Sequence, residues 1–232
     1  MNKAKAIRIL TLAAAAYKNN LEDQEVMFLY GVPADIKKFL QKGVVEISAM
    51  NYYETVFLRR NFLHLTGVKL NKEKIKSSIN FYEKCLDHRI AEDDFEFASD
   101  GSTQQKLEII EQMMNLKKNV AMIGDFTDRG PTLYAQKAAG TIFGCIGFLK
   151  DSEFNKNVPN TLLNKDIRDV ISRPANKIYV VLSKHFGDLQ YKTIEKIDKD
   201  ICLRHGLLPA EIEMKISADL MDEDDSSIEN SP

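Results

Sequence analysis

The apolar pattern changes character near residue 120, and that change restricts the folds open to this chain. Before it the periods are mainly helical. Residues 4 to 20 combine high helix propensity with no breaker, and Asn19-Asn20 supply a stop. Lys72 to Leu86 reads as an amphipathic helix through Ile75, Ile79, Tyr82 and Leu86, and Gln104 to Leu116 as a second through Leu107, Ile110 and Met114. Between these lie a buried strand, Glu25 to Tyr30, closed by Gly31 and Pro33, then a short helix from Ile36 to Gly43 and a strand from Val44 to Ile47. Ala91 to Thr103, acidic and polar, reads as an exposed loop. After residue 120 come short apolar runs parted by polar turns: Val120 to Ile123, Ile142 to Leu149, Val158 to Leu163, Ile178 to Ser183 and Leu189 to Ile194. The last two predict a hairpin in which Lys184 lies opposite Leu189 and diagonal to Tyr191. One or two closing helices are expected over 196 to 217, broken near Gly206 and Pro209. Helices first and an antiparallel sheet afterwards predict an α+β fold.

A chain of 232 residues can bury a sizeable core, and one domain over residues 1 to 218 is expected. The formal net charge of −2 hides an asymmetry, because the segment from Asp219 to Pro232 holds six acids and no base. Without it, 28 acids face 32 bases, a balance of +4, so a mildly basic body precedes an acidic tail expected to be disordered. That balance suits an anionic partner but falls short of a dedicated nucleic-acid binder. Cys85, Cys145 and Cys202 lie far apart without a C-x-x-C pair, which argues against a metal cluster or disulfide framework and fits a reducing cytoplasm. Lys3, Lys5 and Arg8 ahead of Ile9 to Ala16 resemble a signal peptide only superficially, since the pattern continues smoothly into Tyr17, Lys18 and Leu21 as an alanine-rich helix would. No apolar run is long enough to span a bilayer.

The most unusual stretch is Arg59 to Leu70, which interleaves apolar residues with Arg59, Arg60, His64, Thr66 and Lys69 and carries a turn-forming Gly67. From Arg59 to Lys76 six bases face a single acid, Glu73, so His64 lies in a locally cationic patch. An imidazole that exchanges protons near neutral pH beside guanidinium groups is what phosphate chemistry uses. A histidine in an apolar run also serves as a structural residue, and the sequence leaves both roles open. Tyr52 to Leu65 reads equally as extended or helical; either way Arg60 and His64 are neighbours.

Two motifs mislead. Gly124-Asp125-Phe126-Thr127-Asp128-Arg129-Gly130 matches the G-D-x-x-D-R-G signature of metallophosphoesterases, but neither the upstream D-x-H nor the downstream G-N-H exists to complete a two-metal site. His64-Leu65-Thr66 matches one H-x-T element of the two-histidine phosphoesterases, and no second copy follows His88, His185 or His205.

A third likeness covers roughly residues 5 to 200. Asn61-Phe62-Leu63-His64-Leu65-Thr66-Gly67, the helix bearing Phe81-Tyr82-Glu83, Val158 to Leu163, and Ile178 to Lys184 followed by Tyr191 resemble the fourth subgroup of the phage-encoded barnase/EndoU/colicin/RelE-like nucleases. The resemblance implies a curved antiparallel sheet with N-terminal and inserted helices, a metal-independent endoribonuclease ancestry without cofactor, and an origin in phages or mobile elements. Such chemistry needs a base for the ribose 2′-hydroxyl, an acid for the leaving 5′-oxygen and cations for the phosphorane. His64 is the candidate acid or base, with Arg59, Arg60 and Lys69 on the phosphate. Lys184 would stabilise the transition state, Tyr191 donate a proton or stack on a base, and Thr66, Ser183 and Thr161 orient phosphate oxygens. Each has a structural counterpart: a hairpin end for Lys184, a sheet residue for Tyr191, turn or cap roles for Ser183 and Thr66. The expected partner is RNA, a tRNA or mRNA among the possibilities, with a host protein or immunity partner as a further one. The alternative is an inactive nuclease fold that binds a protein or RNA through the basic patch.

Overall fold

The computed structural model describes residues 1–31, 50–127, 135–199, 201–205 and 208–221. The helix expected after Pro33, the strand from Val44 to Ile47, Asp128 to Gly130 of the metallophosphoesterase-like motif and the chain beyond Met221 lie outside them.

Helix α1, Lys3–Asn20, begins where the Asn2 side chain accepts the Lys5 N–H, and it buries Ala6, Leu10, Ala13, Ala14 and Tyr17 along one stripe. Strand β1, Gln24–Gly31, is an inner strand of the sheet, antiparallel to the edge strand β2 (Asn51–Phe57) on one side and to β9 (Asn176–His185) on the other. Beyond β9 follow β5 (Met122–Asp125), β6 (Lys137–Thr141), β7 (Gly144–Lys150) and β8 (Asn157–Leu163), and β10 (Thr193–Ile197) also pairs with β9. A two-stranded ladder of β3 (Lys69–Leu70) and β4 (Phe95–Glu96) stands apart. The large sheet curls until its outer strands meet. Thr55 Oγ1 on β2 donates to the Asn157 carbonyl at 3.1 Å, and Asn157 Nδ2 on β8 returns a bond to the Glu54 carbonyl at 2.7 Å. Side chains thus satisfy part of the open edges without completing a ladder.

Both faces of the sheet are covered. Val26, Phe28 and Tyr30 of β1 face the helices, where Tyr17 packs its ring against Phe57, Phe62 and Tyr82. Met27 and Leu29 point the other way, under Leu203, Leu208, Ile212, Ile216 and Met221 of the C-terminal segment. A strand buried on both faces reads as an unbroken apolar run, which is why Glu25 to Tyr30 was legible. Met221 is buried in that second layer, so the folded chain continues past Asp219.

Several expectations are corrected. The helix expected over 72 to 86 occupies only α3, Ser78–Leu86, because Ser77 caps it by accepting the Asn80 N–H. Its buried face is Phe81, Tyr82 and Cys85, while Ile79 is 42% exposed. The segment from Ala91 to Thr103 is not wholly exposed: Asp94 is buried, both its oxygens accept from Lys84 Nζ at 2.8 Å, and Phe95 beside it is fully buried in β4. Ile142 and Phe143 are not strand residues but the exposed tip of the β6–β7 hairpin, whose register pairs Thr141 with Gly144. In the last hairpin Ser183 faces Thr193, Leu189 is 90% exposed, and Tyr191 instead bridges Ile216. Of the closing helices only the turn Ala210–Glu213 forms an α-helix among the described residues.

Candidate nuclease groove

The stretch from Arg59 to Leu70 is extended in neither sense for long: a 3-10 turn, Arg59–Asn61, leads into the single-turn-plus helix α2, Phe62–Thr66. Phe62 and Leu65 bury against α1 and α3, and the helical spacing then leaves His64 on the outer side, exposed. Thr66 is fully buried; its hydroxyl donates to the Leu63 carbonyl at 2.8 Å and accepts the Val68 N–H at 3.3 Å, so it closes the turn. Gly67 ends α2 in the left-handed region at φ 70°.

Helix α4, Ser102–Met113, fastens that end. Thr103 Oγ1 donates to the Gly67 carbonyl at 2.6 Å and Lys106 Nζ to the His64 carbonyl at 3.1 Å. A Cβ on Gly67 would sit 2.8 Å from Lys106 Cδ. Gly67→Ala is therefore expected to cost about 1–2 kcal/mol from the left-handed backbone alone, and to push Lys106 aside. A urea melt checks the first effect.

Between α2, α4 and the end of β8 opens a cleft of about 640 Å³, lined by His64, Lys69, Asp100, Lys106, Thr161 and Lys165 among others. On the other side of His64 a smaller cleft of about 280 Å³ is lined by Arg60, Ser78, Asp151, Pro159 and Asn160. His64 and Asn160 line both, so a groove passes over the imidazole with bases at either end. Although His64 is exposed overall, its ring stands in the groove where protein replaces part of its hydration. That desolvation, then the Lys106 ammonium, then the Arg60 guanidinium push its pKa below the ordinary 6.5. Burial lowers Lys106 to about 8, partly opposed by Asp100.

The structure brings His64, Lys69, Thr161 and, at the far end, Arg60 to this groove. Arg60 reaches the β7–β8 turn, bonding Asp151 at 2.9 Å and Glu153 at 2.7 Å, with its guanidinium over the Phe154 ring. Thr161 is buried, and its hydroxyl has no hydrogen-bond partner among the described residues. Arg59 is turned away: it pairs with Glu22 at 2.6 Å beside a separate cleft that Glu83 and Asp87 also line. Lys184, Tyr191 and Ser183 are elsewhere. Lys184 Nζ donates to the Asp188 carbonyl at 2.7 Å, lies 3.4 Å from Glu25 and sits over the Tyr191 ring. Tyr191 is fully buried and donates to Glu54 at 3.0 Å; burial, with Glu54 and Glu25 adding to it, raises its pKa far above the ordinary phenol value. Ser183 Oγ donates to Glu195 at 2.7 Å.

Lys106 was missed. It occupies the polar margin of an amphipathic helix, where lysines are ordinary, and only the contact with a residue 42 positions earlier singles it out. Among the described residues no group of three His, Cys, Asp or Glu side chains converges as a metal site would require, and none of the helices is long and apolar enough to cross a membrane.

Neither the curated proteins nor the solved structures contain a match to this chain. The curled antiparallel sheet and the helices stacked on one face nevertheless have a family: the model described as phage-Barnase-EndoU-ColicinE5/D-RelE like nuclease 4 matches residues 9–200, and the chain belongs to that nuclease family.

Proposed function

We propose that this nuclease cleaves RNA without a metal ion, using the ribose 2′-hydroxyl as nucleophile and His64 as the base that removes its proton. The observation that carries the reading is the position of His64, which lines two adjoining clefts with cationic side chains on both sides. A lowered pKa keeps the ring neutral at pH 7, the form a base needs. Lys69, Lys106 and Arg60 supply positive charge for phosphate oxygens and for the phosphorane as its charge grows. Arg60 is held by two acids at rest, so substrate phosphate would compete with Asp151 and Glu153 for its guanidinium. Because DNA lacks the 2′-hydroxyl, it is spared.

The test is incubation of purified protein with mixed cellular RNA in EDTA, followed by analysis of the new ends. Products bearing 2′,3′-cyclic phosphate and 5′-hydroxyl groups are expected, with single-stranded DNA of matched composition left intact. Cleavage of both nucleic acids, or cleavage abolished by EDTA, would overturn the mechanism. Binding of RNA without cleavage would instead favour a groove that only captures its ligand.

A further inference from the structure

We propose that Lys106 is the second catalytic residue of the groove, giving a proton to the departing 5′-oxygen while His64 takes the one from the 2′-hydroxyl. The inference rests on the reading of this groove as the nuclease site.

The geometry ties the ammonium to the main chain of His64, in the cleft that the imidazole also lines. Lys106 reaches across α2 over Gly67, a position without a side chain, and one of its three N–H groups is held by the His64 carbonyl at 3.1 Å. Its stem is part-buried and its head lines the same cleft as His64, so both groups reach one phosphodiester. Their contact is also electrostatic: the ammonium helps to keep the imidazole neutral. The charged groups facing Lys106 are His64 from α2, Lys69 from β3, Asp100 ahead of α4 and Lys165 after β8. Asp100 is the acid among them and favours the protonated lysine, while burial opposes it, leaving a pKa of about 8. At neutral pH the two groups are thus in opposite states, a base without its proton and an acid with one.

The step balances within these two residues. The 2′-oxygen loses its proton to His64 and bonds to phosphorus; the P–O5′ bond breaks, and its electron pair takes a proton from the Lys106 ammonium. The products are a 2′,3′-cyclic phosphate and a 5′-hydroxyl, and solvent resets both side chains.

The sign of the pH dependence follows. Activity requires neutral His64 and charged Lys106, so kcat/KM rises through a pKa below 6.5 and falls again near 8. The decisive test is a mixed-sequence RNA in which the linkage cut by the wild-type protein carries a bridging 5′-sulfur, whose thiolate leaves without needing a proton. Lys106→Met is expected to lose about a hundredfold or more on all-oxygen RNA and to regain most of that on the sulfur linkage. Lys106→Arg, which keeps the charge and the tie to His64, is expected to lose the alkaline limb of the profile. His64→Ala stays slow on both substrates. An equal loss by Lys106→Met on both linkages would overturn proton donation by Lys106 while leaving His64 in place. A His64→Ala protein as fast as wild type would instead remove the groove as the site, and this inference with it.

Discussion

His64→Ala is expected to slow RNA cleavage by about 10²–10⁴-fold, the usual contribution of a positioned acid or base, while leaving the melting transition almost unchanged. The two halves of this expectation come from different atoms of the same residue. Packing of α2 is carried by Phe62 and Leu65, both fully buried, and by the Thr66 hydroxyl, none of which the substitution touches. Lys106 bonds the main-chain carbonyl of residue 64, which alanine retains. The imidazole itself makes no hydrogen bond among the described residues and is exposed, a setting in which substitutions cost at most about 0.5 kcal/mol. Alanine is moreover a better helix former than histidine. The measurement is single-turnover cleavage beside a urea melt. Loss of rate with an unchanged midpoint supports catalysis; a large loss of stability with activity preserved in the folded fraction would return His64 to a structural role.

Much of the fold was legible, and what escaped did so for identifiable reasons. Runs such as Val26 to Tyr30 and Ile178 to Ser183 belong to strands buried on both faces, where apolarity is continuous and length alone separates strand from helix. Strand β6 went unseen because Lys-Ala-Ala-Gly-Thr lacks the branched and aromatic residues that mark strands. Its small side chains are demanded by the neighbouring strand: a Cβ on Gly140 would lie 2.3 Å from the Gly144 carbonyl oxygen and 2.5 Å from Cys145 Cα. The acids of the segment around Asp94 concealed a buried carboxylate, since a charge paired by Lys84, a residue ten positions earlier, looks the same in sequence as one left in water.

The geometry of the candidate site was legible where its parts are close in sequence. Arg60 and His64, read as neighbours in either conformation, do share the smaller cleft, and the guanidinium acts on the imidazole. Thr161 comes to the larger cleft from β8 and Lys106 from α4, contacts set by tertiary packing alone. Lys184 and Tyr191 also meet, with the ammonium 4.9 Å from the ring centroid, but through a longer hairpin loop than the simplest register implies. Their meeting is on the face of the sheet turned toward the C-terminal segment, with Met27 and Leu29, not on the face that carries α2.

That location gives the second large effect. Glu25 is 2% exposed and holds Lys156 at 2.7 Å and Lys184 at 3.4 Å. Glu25→Ala is expected to destabilise the fold by about 3–5 kcal/mol, because removing one member of a buried ion pair strands the other. The two lysines differ in how they respond. The Lys156 side chain is 40% exposed and can turn into water, whereas that of Lys184 is 9% exposed and remains beside Tyr191, held by the Asp188 carbonyl at 2.7 Å and the Leu189 carbonyl at 3.5 Å. Lys184→Met should cost less, about 1–2 kcal/mol, since Glu25 keeps Lys156, the methionine refills the apolar stem, and only one short and one long hydrogen bond to carbonyls are lost. Combining Glu25→Leu with Lys184→Met removes both buried charges together and should recover part of the loss seen in Glu25→Ala. In each variant cleavage per folded molecule is expected to stay near wild type, because none of these side chains lines the groove over His64. Urea melts combined with rates corrected for the folded fraction make the comparison. A Lys184→Met protein that melts like wild type yet no longer cuts RNA would place Lys184 in the catalytic machinery and move the reacting phosphate to the opposite face of the sheet.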